Sequence, residues 1–435
     1  MKRIYIETYG CQMNEYDTEI VKTILQKHQY SFTDKPEEAE ILFLNTCSVR
    51  ENAHQKVTQR IYTFKQLRKQ KKNLVIGVLG CMAQNLRNEL LDEKLGVDIA
   101  AGPDSYKHLP TMLQHVFDEG KKESDFTLSE YETYSDIIPE PEPGVNAWIA
   151  VMRGCDNFCT FCVVPYTRGR ERSRDPFNVL TEVKQLAAKG YKQITLLGQN
   201  VNSYRFQNHD FADLIEIVSQ VDGIERIRFT SPHPKDFPEK LIDVVARNDK
   251  VCKQIHLPLQ AGSNRILELM NRTYTREQFL HLVDRLRKQI PHLVLTTDVI
   301  VGFPTESEEE FQETLDIMRR VEFDTAFMFK YSERQHTIAS RKYPDDVSDK
   351  EKTSRIIRLV DMQKKIALKK NQQHIGQIFE VLVEGRGKKP NQLLGRNDGN
   401  KIVVFPDNGA QIGDFVRVKI KEVTSNTLMG QALAD

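Results

Sequence analysis

The apolar positions of this chain follow three different patterns in turn. Over residues 1 to 118, short apolar runs alternate with longer amphipathic stretches: RIYIETYGC, ILFLNTC and NLVIGVLGC read as strands, and Glu15 to His28 and Glu51 to Lys71 are long enough for crossover helices. That alternation predicts a doubly wound parallel α/β domain. From 119 to 145 the periodicity fades and ends in PEPEPG, which reads as an extended linker. Residues 146 to 370 hold six strand-like runs, AWIAV, QITLLGQ, RIRFTS, QIHLPLQ, VLTTDVIVG and TAFMFKYS, each followed by a helical segment. Six β/α units are too few for a closed eight-stranded barrel, so the pattern predicts an open, partial (β/α)6 barrel. From 373 to 435, GQIFEVLVEG, NQLLGRN, NKIVVFP, GDFVRVKIKEV and NTLMGQAL are separated by Gly, Asn, Asp and Pro. They predict five short strands in a small antiparallel β-barrel of the oligonucleotide-binding kind.

Composition narrows this little. Hydrophobic residues make up 39% and charged residues 28%, and no apolar run approaches the thickness of a bilayer, so a soluble protein is expected. The start, MKRIYIETYGC, lacks a signal-peptide core, which predicts a cytoplasmic protein. Net charge, +1, names no partner, but its distribution does: Arg50 to Lys72 carries eight Lys/Arg against one Glu. This basic helix, and the loop cluster Arg386, Lys388, Lys389 and Arg396, are candidates for nucleic-acid phosphates.

The cysteines carry the chemistry. Seven thiols without a secretion signal read as reduced groups for metal or redox work. Cys11, Cys47 and Cys81 each directly follow a predicted strand, and open α/β sheets bind ligands beyond the carboxyl ends of their strands, so the three are expected at one rim. Cys155, Cys159 and Cys162, in GCDNFCTFC, follow the first barrel strand, at the end where barrel chemistry lies. Thiolates suit zinc, copper(I) or iron-sulfur clusters, but a structural zinc site is closed by a fourth Cys or His. None follows Cys162 at such spacing. Cys252 is expected in the core, and His233 and His256 as hydrogen-bonded structural residues.

The C-x-x-x-C-x-x-C loop after the first strand of a six-unit barrel resembles the signature of radical S-adenosylmethionine enzymes. With a three-cysteine domain before it and a TRAM-like small barrel after it, the chain resembles the methylthiotransferases over nearly its whole length. YGCQMN, LNTCSVRE, LGCMAQ and RGCDNFCTFCVVPYTRGRE look most like the branch that methylthiolates the 2-position of isopentenyladenosine beside the anticodon. Sister branches act on threonylcarbamoyladenosine in tRNA or on a ribosomal-protein side chain. A non-enzymatic RNA-binding protein with structural metal sites is the rival from another class.

The resemblance implies two 4Fe-4S clusters, one held by Cys11, Cys47 and Cys81 and the other by Cys155, Cys159 and Cys162, with S-adenosylmethionine on the second. It implies no catalytic side chain beyond the cluster-bound cofactors. One cofactor molecule methylates the sulfur and another yields the radical. Phe161 is expected near the adenine; Gly198, Gln199 and Asn200 end the second barrel strand, where the methionine amino group binds; Gln260 and Asp298 face the same mouth as cofactor or substrate contacts. Expected partners are the anticodon stem-loop of tRNA, an electron donor such as flavodoxin or ferredoxin, and a supplier of sulfur or iron-sulfur units. Neither a membrane partner nor an oligomer is expected.

Overall fold

A computed structural model describes residues 1–48, 51–71 and 73–433. The first sheet contains β1 (Arg3–Tyr9), β2 (Ser31–Phe32), β3 (Ile41–Thr46), β4 (Val75–Gly80), β5 (Ile99–Ala101) and β6 (Glu123–Asp125). All are parallel, in the order β2-β1-β3-β4-β5-β6. Every residue of β3 and β4 is buried, which is why both read as unbroken apolar runs. Strand order reverses between β1 and β3, placing the ligand crevice at their carboxyl ends. Helix α1 (Gln12–Lys27) follows β1, and α2 (Glu51–Gln70) links β3 to β4.

The stretch expected as a linker is largely part of this domain. β6 extends the sheet by pairing with β5, and Tyr134 and Ile137 are buried in the same core as α1. A three-residue edge strand and scattered anchors leave no periodicity to detect. The basic helix also serves its own sheet. Arg60 pairs with Glu7 and Arg68 with Asp98, while Lys65 and Lys71 reach the carbonyls of Lys94 and Ala39. Four cations expected to face phosphates are therefore already engaged; Arg50 and Lys72 lie outside the described residues.

The middle domain starts with β7 (Asn146–Ala150), followed by a hairpin of β8 (Met152–Arg153) and β9 (Arg172–Ser173), then β10 (Gln193–Leu197). A second hairpin, β11 (Arg205–Phe206) and β12 (His209–Asp210), precedes β13 (Arg226–Phe229), β14 (Gln254–His256), β15 (Val294–Val301) and β16 (Thr325–Lys330). β7, β10 and β13 pair in parallel, as do β14, β15 and β16, and a bridge from Ile227 to Val251 joins the halves into one arc. This is the partial barrel, built from the six runs read in the sequence. Ile149, Ile194, Ile227, Ile255, Leu295 and Ala326 face the surrounding helices, so the alternate residues line the lumen.

The last domain is a closed barrel of β17 (Ile378–Arg386), β18 (Gln392–Arg396), β19 (Ile402–Pro406), β20 (Phe415–Val423) and β21 (Thr427–Ala432). It departs from the all-antiparallel expectation at one contact, the parallel pair β19–β21. A closed ring with an odd number of strands must contain at least one parallel pair. This barrel seals the floor of the larger one. Arg226 donates to the carbonyls of Arg396 and Glu380 at 2.7 and 2.9 Å, and Arg228 to those of Asp398 and Asn397 at 2.8 Å each. Lys370 and Lys401 both pair with Asp324. Arg396, expected on phosphate, instead lies at this junction, its Nε donating to Glu384.

Candidate functional site

The first trio is assembled by the switch point. Cys11 caps the amino end of α1, Cys47 follows β3, and Cys81 opens the short helix Cys81–Leu86 after β4. The strand ends pack tightly: Gly80 has φ +89°, and a Cβ there would lie 2.5 Å from Asn45 Oδ1. Asn45 donates to the Asn14 carbonyl and to Thr18 Oγ1, tying the β3 end to α1. A hydrogen bond with Cys47 and the charge of Arg168 lower the Cys11 thiol to about 6 despite burial. Burial raises the Cys81 thiol, against the pull of Arg168, whose Nε donates to Cys81 Sγ at 3.2 Å.

The second trio sits in one pinned loop. Gly154 has φ +77°, and a Cβ there would lie 2.0 Å from the Arg170 carbonyl, so only glycine fits. Thr160 donates through its N–H to the Met270 carbonyl and through its hydroxyl to Leu269, while Asn271 holds the carbonyls of Asn157 and Phe158. Burial pushes the Cys155 thiol up to about 12 and raises Cys162 as well. Here too a buried guanidinium meets a sulfur, Arg272 Nη1 donating to Cys159 Sγ at 3.2 Å. Its other donors reach Tyr274 Oη and the Pro258 carbonyl.

Around this loop lie buried polar atoms without protein partners: Gln199 Oε1, Asn200 Oδ1, His233 Nε2 and Gln260 Oε1. Glu171 links the loop to the second-strand end, accepting from the Asp156 N–H, Asn200 and Ser203. Gly198 has no room for a side chain against Met152, and Phe161 is half-buried against the barrel core. Gln260 continues the β14 edge in a bridge to Val299, with φ +69°. His233 Nδ1 accepts from the Lys235 N–H, which leaves the ring proton on Nε2. Burial, then the charges of Arg272 and Lys235, push this histidine down to about 2, so it is neutral. Asp298 lies deeper, inside the lumen, paired with His256. Cys252 is buried at the opposite end of the barrel.

Sequence reasoning missed the charges between the trios. Asp17 of α1, fully buried, accepts from Arg153 at 2.6 Å and Arg168 at 2.8 Å. Nearby, Arg172 pairs with Asp104, and Arg174 with Glu182 and Tyr16. The run TRGRERSR was the available signal, but such runs are usually solvated. These contacts bring the two trios close. Cys155 N–H donates to the Gly169 carbonyl at 3.2 Å, and the preceding residue, Arg168, touches Cys81.

The residues fit an iron-sulfur cluster and S-adenosylmethionine. Among the described residues, no three His, Cys, Asp or Glu side chains surround a single ion position, so the fit rests on other features. Each site offers three soft thiols and a buried cation able to offset thiolate charge. At the barrel mouth, the free amide oxygens suit an ammonium group and His233 Nε2–H a carboxylate.

Family models match in three blocks: uncharacterized protein family UPF0004 over residues 3–102, the radical SAM superfamily over 149–318 and the TRAM domain over 372–433. The tRNA-2-methylthio-N(6)-dimethylallyladenosine synthase of Chloroherpeton thalassium is 48% identical across 99% of this chain and 96% of its own. That of Parabacteroides distasonis is 46% identical across 100% and 96%. Among solved structures, the radical S-adenosylmethionine methyltransferase TsrM from Kitasatospora setae, with cobalamin and a 4Fe-4S cluster bound, superposes with a TM-score of 0.58 at 13% identity. It covers 91% of this chain and 81% of that one, a likeness of fold alone.

Fold and cysteine loop thus define a radical S-adenosylmethionine enzyme with a TRAM domain, a class that uses an iron-sulfur cluster and S-adenosylmethionine. Within that class, the chain belongs to the family of tRNA-2-methylthio-N(6)-dimethylallyladenosine synthases. Among the described residues, no helix is long and apolar enough to cross a membrane.

Proposed function

We propose that this enzyme places a methylthio group on the 2-position of N6-dimethylallyladenosine next to the anticodon of tRNA, using two clusters, one on each cysteine trio. One observation carries the two-site reading: Arg168 and Gly169, adjacent in the chain, contact the Cys81 thiol and the Cys155 N–H, so both trios lie beside one short segment. When bound there, the cofactors supply a carbon radical from the barrel site and sulfur from the first. A heteroaromatic C–H offers a side-chain base no acidity to exploit, which is why the chain contributes binding and charge.

Cys155, Cys159 and Cys162 hold the barrel cluster, and Arg272 offsets its negative charge. Gln199, Asn200, Gln260 and His233 bind the polar end of S-adenosylmethionine, and Phe161 packs beside its adenine. Cys11, Cys47 and Cys81 hold the other cluster, with Arg168 as its cation. The first domain docks on the barrel through Asp17, Arg153 and Arg168, and the buried contact keeps water from that flank of a site where a radical must survive. Threonylcarbamoyladenosine and ribosomal protein are not favoured, since full-length relatives carry the dimethylallyladenosine name. Mass spectrometry of tRNA nucleosides tests the reading. Cells lacking the gene should accumulate unthiolated N6-dimethylallyladenosine and regain the methylthio form on complementation; unchanged nucleosides would refute it.

A further inference from the structure

The barrel lumen has a wall that neither cysteine trio uses. On β14, β15 and β16 the inward residues include His256, Thr296, Asp298, Ile300, Phe327 and Phe329, while their neighbours Ile255, Leu295, Val299 and Ala326 belong to the helix-facing core. Asp298 is in register with Phe327, and Ile300 with Phe329. His256 Nε2 lies 3.2 Å from Asp298 Oδ2, its Nδ1 lies 2.9 Å from Thr296 Oγ1, and its ring meets Phe327 edge-on at 5.9 Å. These contacts fix the carboxylate and one aromatic ring as a unit. Phe327 is nevertheless 50% exposed and Phe329 40% exposed, an uncovered pair of large aromatics on the lumen side of the strands. The floor beneath is closed by the small barrel, with Arg226 and Arg228 bound to its carbonyls.

Charge narrows the occupant. Among the described residues, the inward positions of β14, β15 and β16 carry no lysine or arginine. An occupant with a carboxylate would face Asp298 with no cation on these three strands to offset it, since Arg226 and Arg228 are bound to carbonyls at the floor. An apolar group on a nitrogen that keeps one hydrogen would meet aromatic carbon and a carboxylate acceptor. N6-dimethylallyladenine has that composition: five apolar carbons on an N6–H.

We propose that this wall is the pocket for the N6 substituent, Phe327 and Phe329 covering the dimethylallyl group while Asp298, oriented by His256, accepts the N6–H. The proposal rests on the function given above and assigns its substrate specificity. Selection then has an attractive part, in the aromatics, and a repulsive part, in Asp298 against acidic substituents.

The test uses the full-length, cluster-reconstituted protein and two synthetic anticodon stem-loops that differ only in the dimethylallyl group, with equilibrium binding as the readout. Wild type should prefer the prenylated RNA by about tenfold or more. A Phe327→Ala, Phe329→Ala double variant should bring the two affinities to within about twofold. Single Phe→Leu variants, which retain apolar volume, should keep more of the preference, and equal loss in Leu and Ala variants would overturn the pocket. Asp298→Asn should improve binding of a stem-loop bearing threonylcarbamoyladenosine; no improvement removes the repulsive role. A double variant retaining the full preference, or a wild type with none, overturns the pocket even where methylthiolation of prenylated tRNA proceeds. Failure of that methylthiolation would instead refute the function.

Discussion

Replacing Asp17 with Asn should destabilise the contact between the first domain and the barrel more than any exposed ion pair could. Its two oxygens accept from Arg153 and Arg168, and the three side chains are 0, 1 and 3% exposed. Asn keeps the shape but leaves two buried guanidiniums facing each other without a counter-ion. Removing one partner of a buried pair costs about 3–5 kcal/mol, and with two cations orphaned the upper end applies. Against a domain stability of about 5–15 kcal/mol that is a large fraction. Trp148 is the chain's one tryptophan and packs against the first domain's core, so its fluorescence reports the contact directly. In anaerobic urea titrations of cluster-free protein, the Trp148 midpoint should fall by roughly 2 M, taking a urea slope of about 1–3 kcal/mol/M. Glu142→Gln, which breaks the exposed pair with Lys22, should leave it near wild type. A shift for Asp17→Asn below about 0.3 M would refute the buried-charge reasoning.

The same pair of proteins gives a pH check. Burial alone would raise the Asp17 carboxyl, but Arg153 and Arg168 outweigh it and hold it below the ordinary range. Its folded value is therefore lower than its unfolded value of about 3.9. The stabilisation is fully present above that unfolded value and is lost as pH falls through the lower folded one. The gap between wild type and Asp17→Asn should stay constant from about pH 8 to 5 and close only in stronger acid.

Three further outcomes are expected. A Cys11→Ala, Cys47→Ala, Cys81→Ala variant should keep about half the reconstituted iron and still cleave S-adenosylmethionine to deoxyadenosine, yet give no methylthio product; product from a folded variant would sink the two-site assignment. In that background, Arg272→Gln should lower the reduction potential of the remaining cluster, read by EPR potentiometry, and Arg272→Lys should lower it less; an unchanged potential would show that the guanidinium does not act on the cluster. On the small barrel, Arg417, Lys419 and Lys421 are exposed on the outer face of β20. Changing all three to Gln should flatten the slope of log affinity for tRNA against log salt by up to about 2–3, and an unaltered slope would clear this face of phosphate contact. Deleting the whole barrel is a poorer test, because it strips Arg226 and Arg228 of their acceptors.

Much of the framework was readable because each element declares its own burial. β20 alternates buried Val416, Val418 and Ile420 with exposed cations, and β3 and β4 are buried throughout. The cysteines at strand ends could be placed because sheet topology fixes where strand ends meet. What escaped depends on distant partners. Arg153 and Arg168 look like surface charges until Asp17, 136 and 151 residues away, is packed over them. The cations of α2 look free until Glu7 and Asp98 come beneath them. Phe327 and Phe329 were legible as strand residues in TAFMFKYS, but alternation alone does not say which face meets helices and which meets the lumen.

The buried charges also explain how two domains hold two sites in register. An apolar interface would tolerate sliding, whereas a carboxylate shared by two guanidiniums has a narrow choice of geometry. Asp17 lies six residues along α1 from Cys11, about 9 Å of helix, and Arg153 lies two residues before Cys155. Arg168, the second cation on Asp17, touches Cys81 itself. The ion-paired knot thus touches a cysteine of one trio and lies two residues from a cysteine of the other, which restricts how the trios can shift relative to each other. Arg272 has no comparable anchor: no acidic side chain among the described residues pairs with it, and its contacts are Cys159, Tyr274 and a carbonyl. One trio therefore faces a guanidinium that shares the Asp17 carboxylate with Arg153, and the other a guanidinium with no acidic partner among the described residues. Similar sets of three thiols thus acquire different electrostatic surroundings.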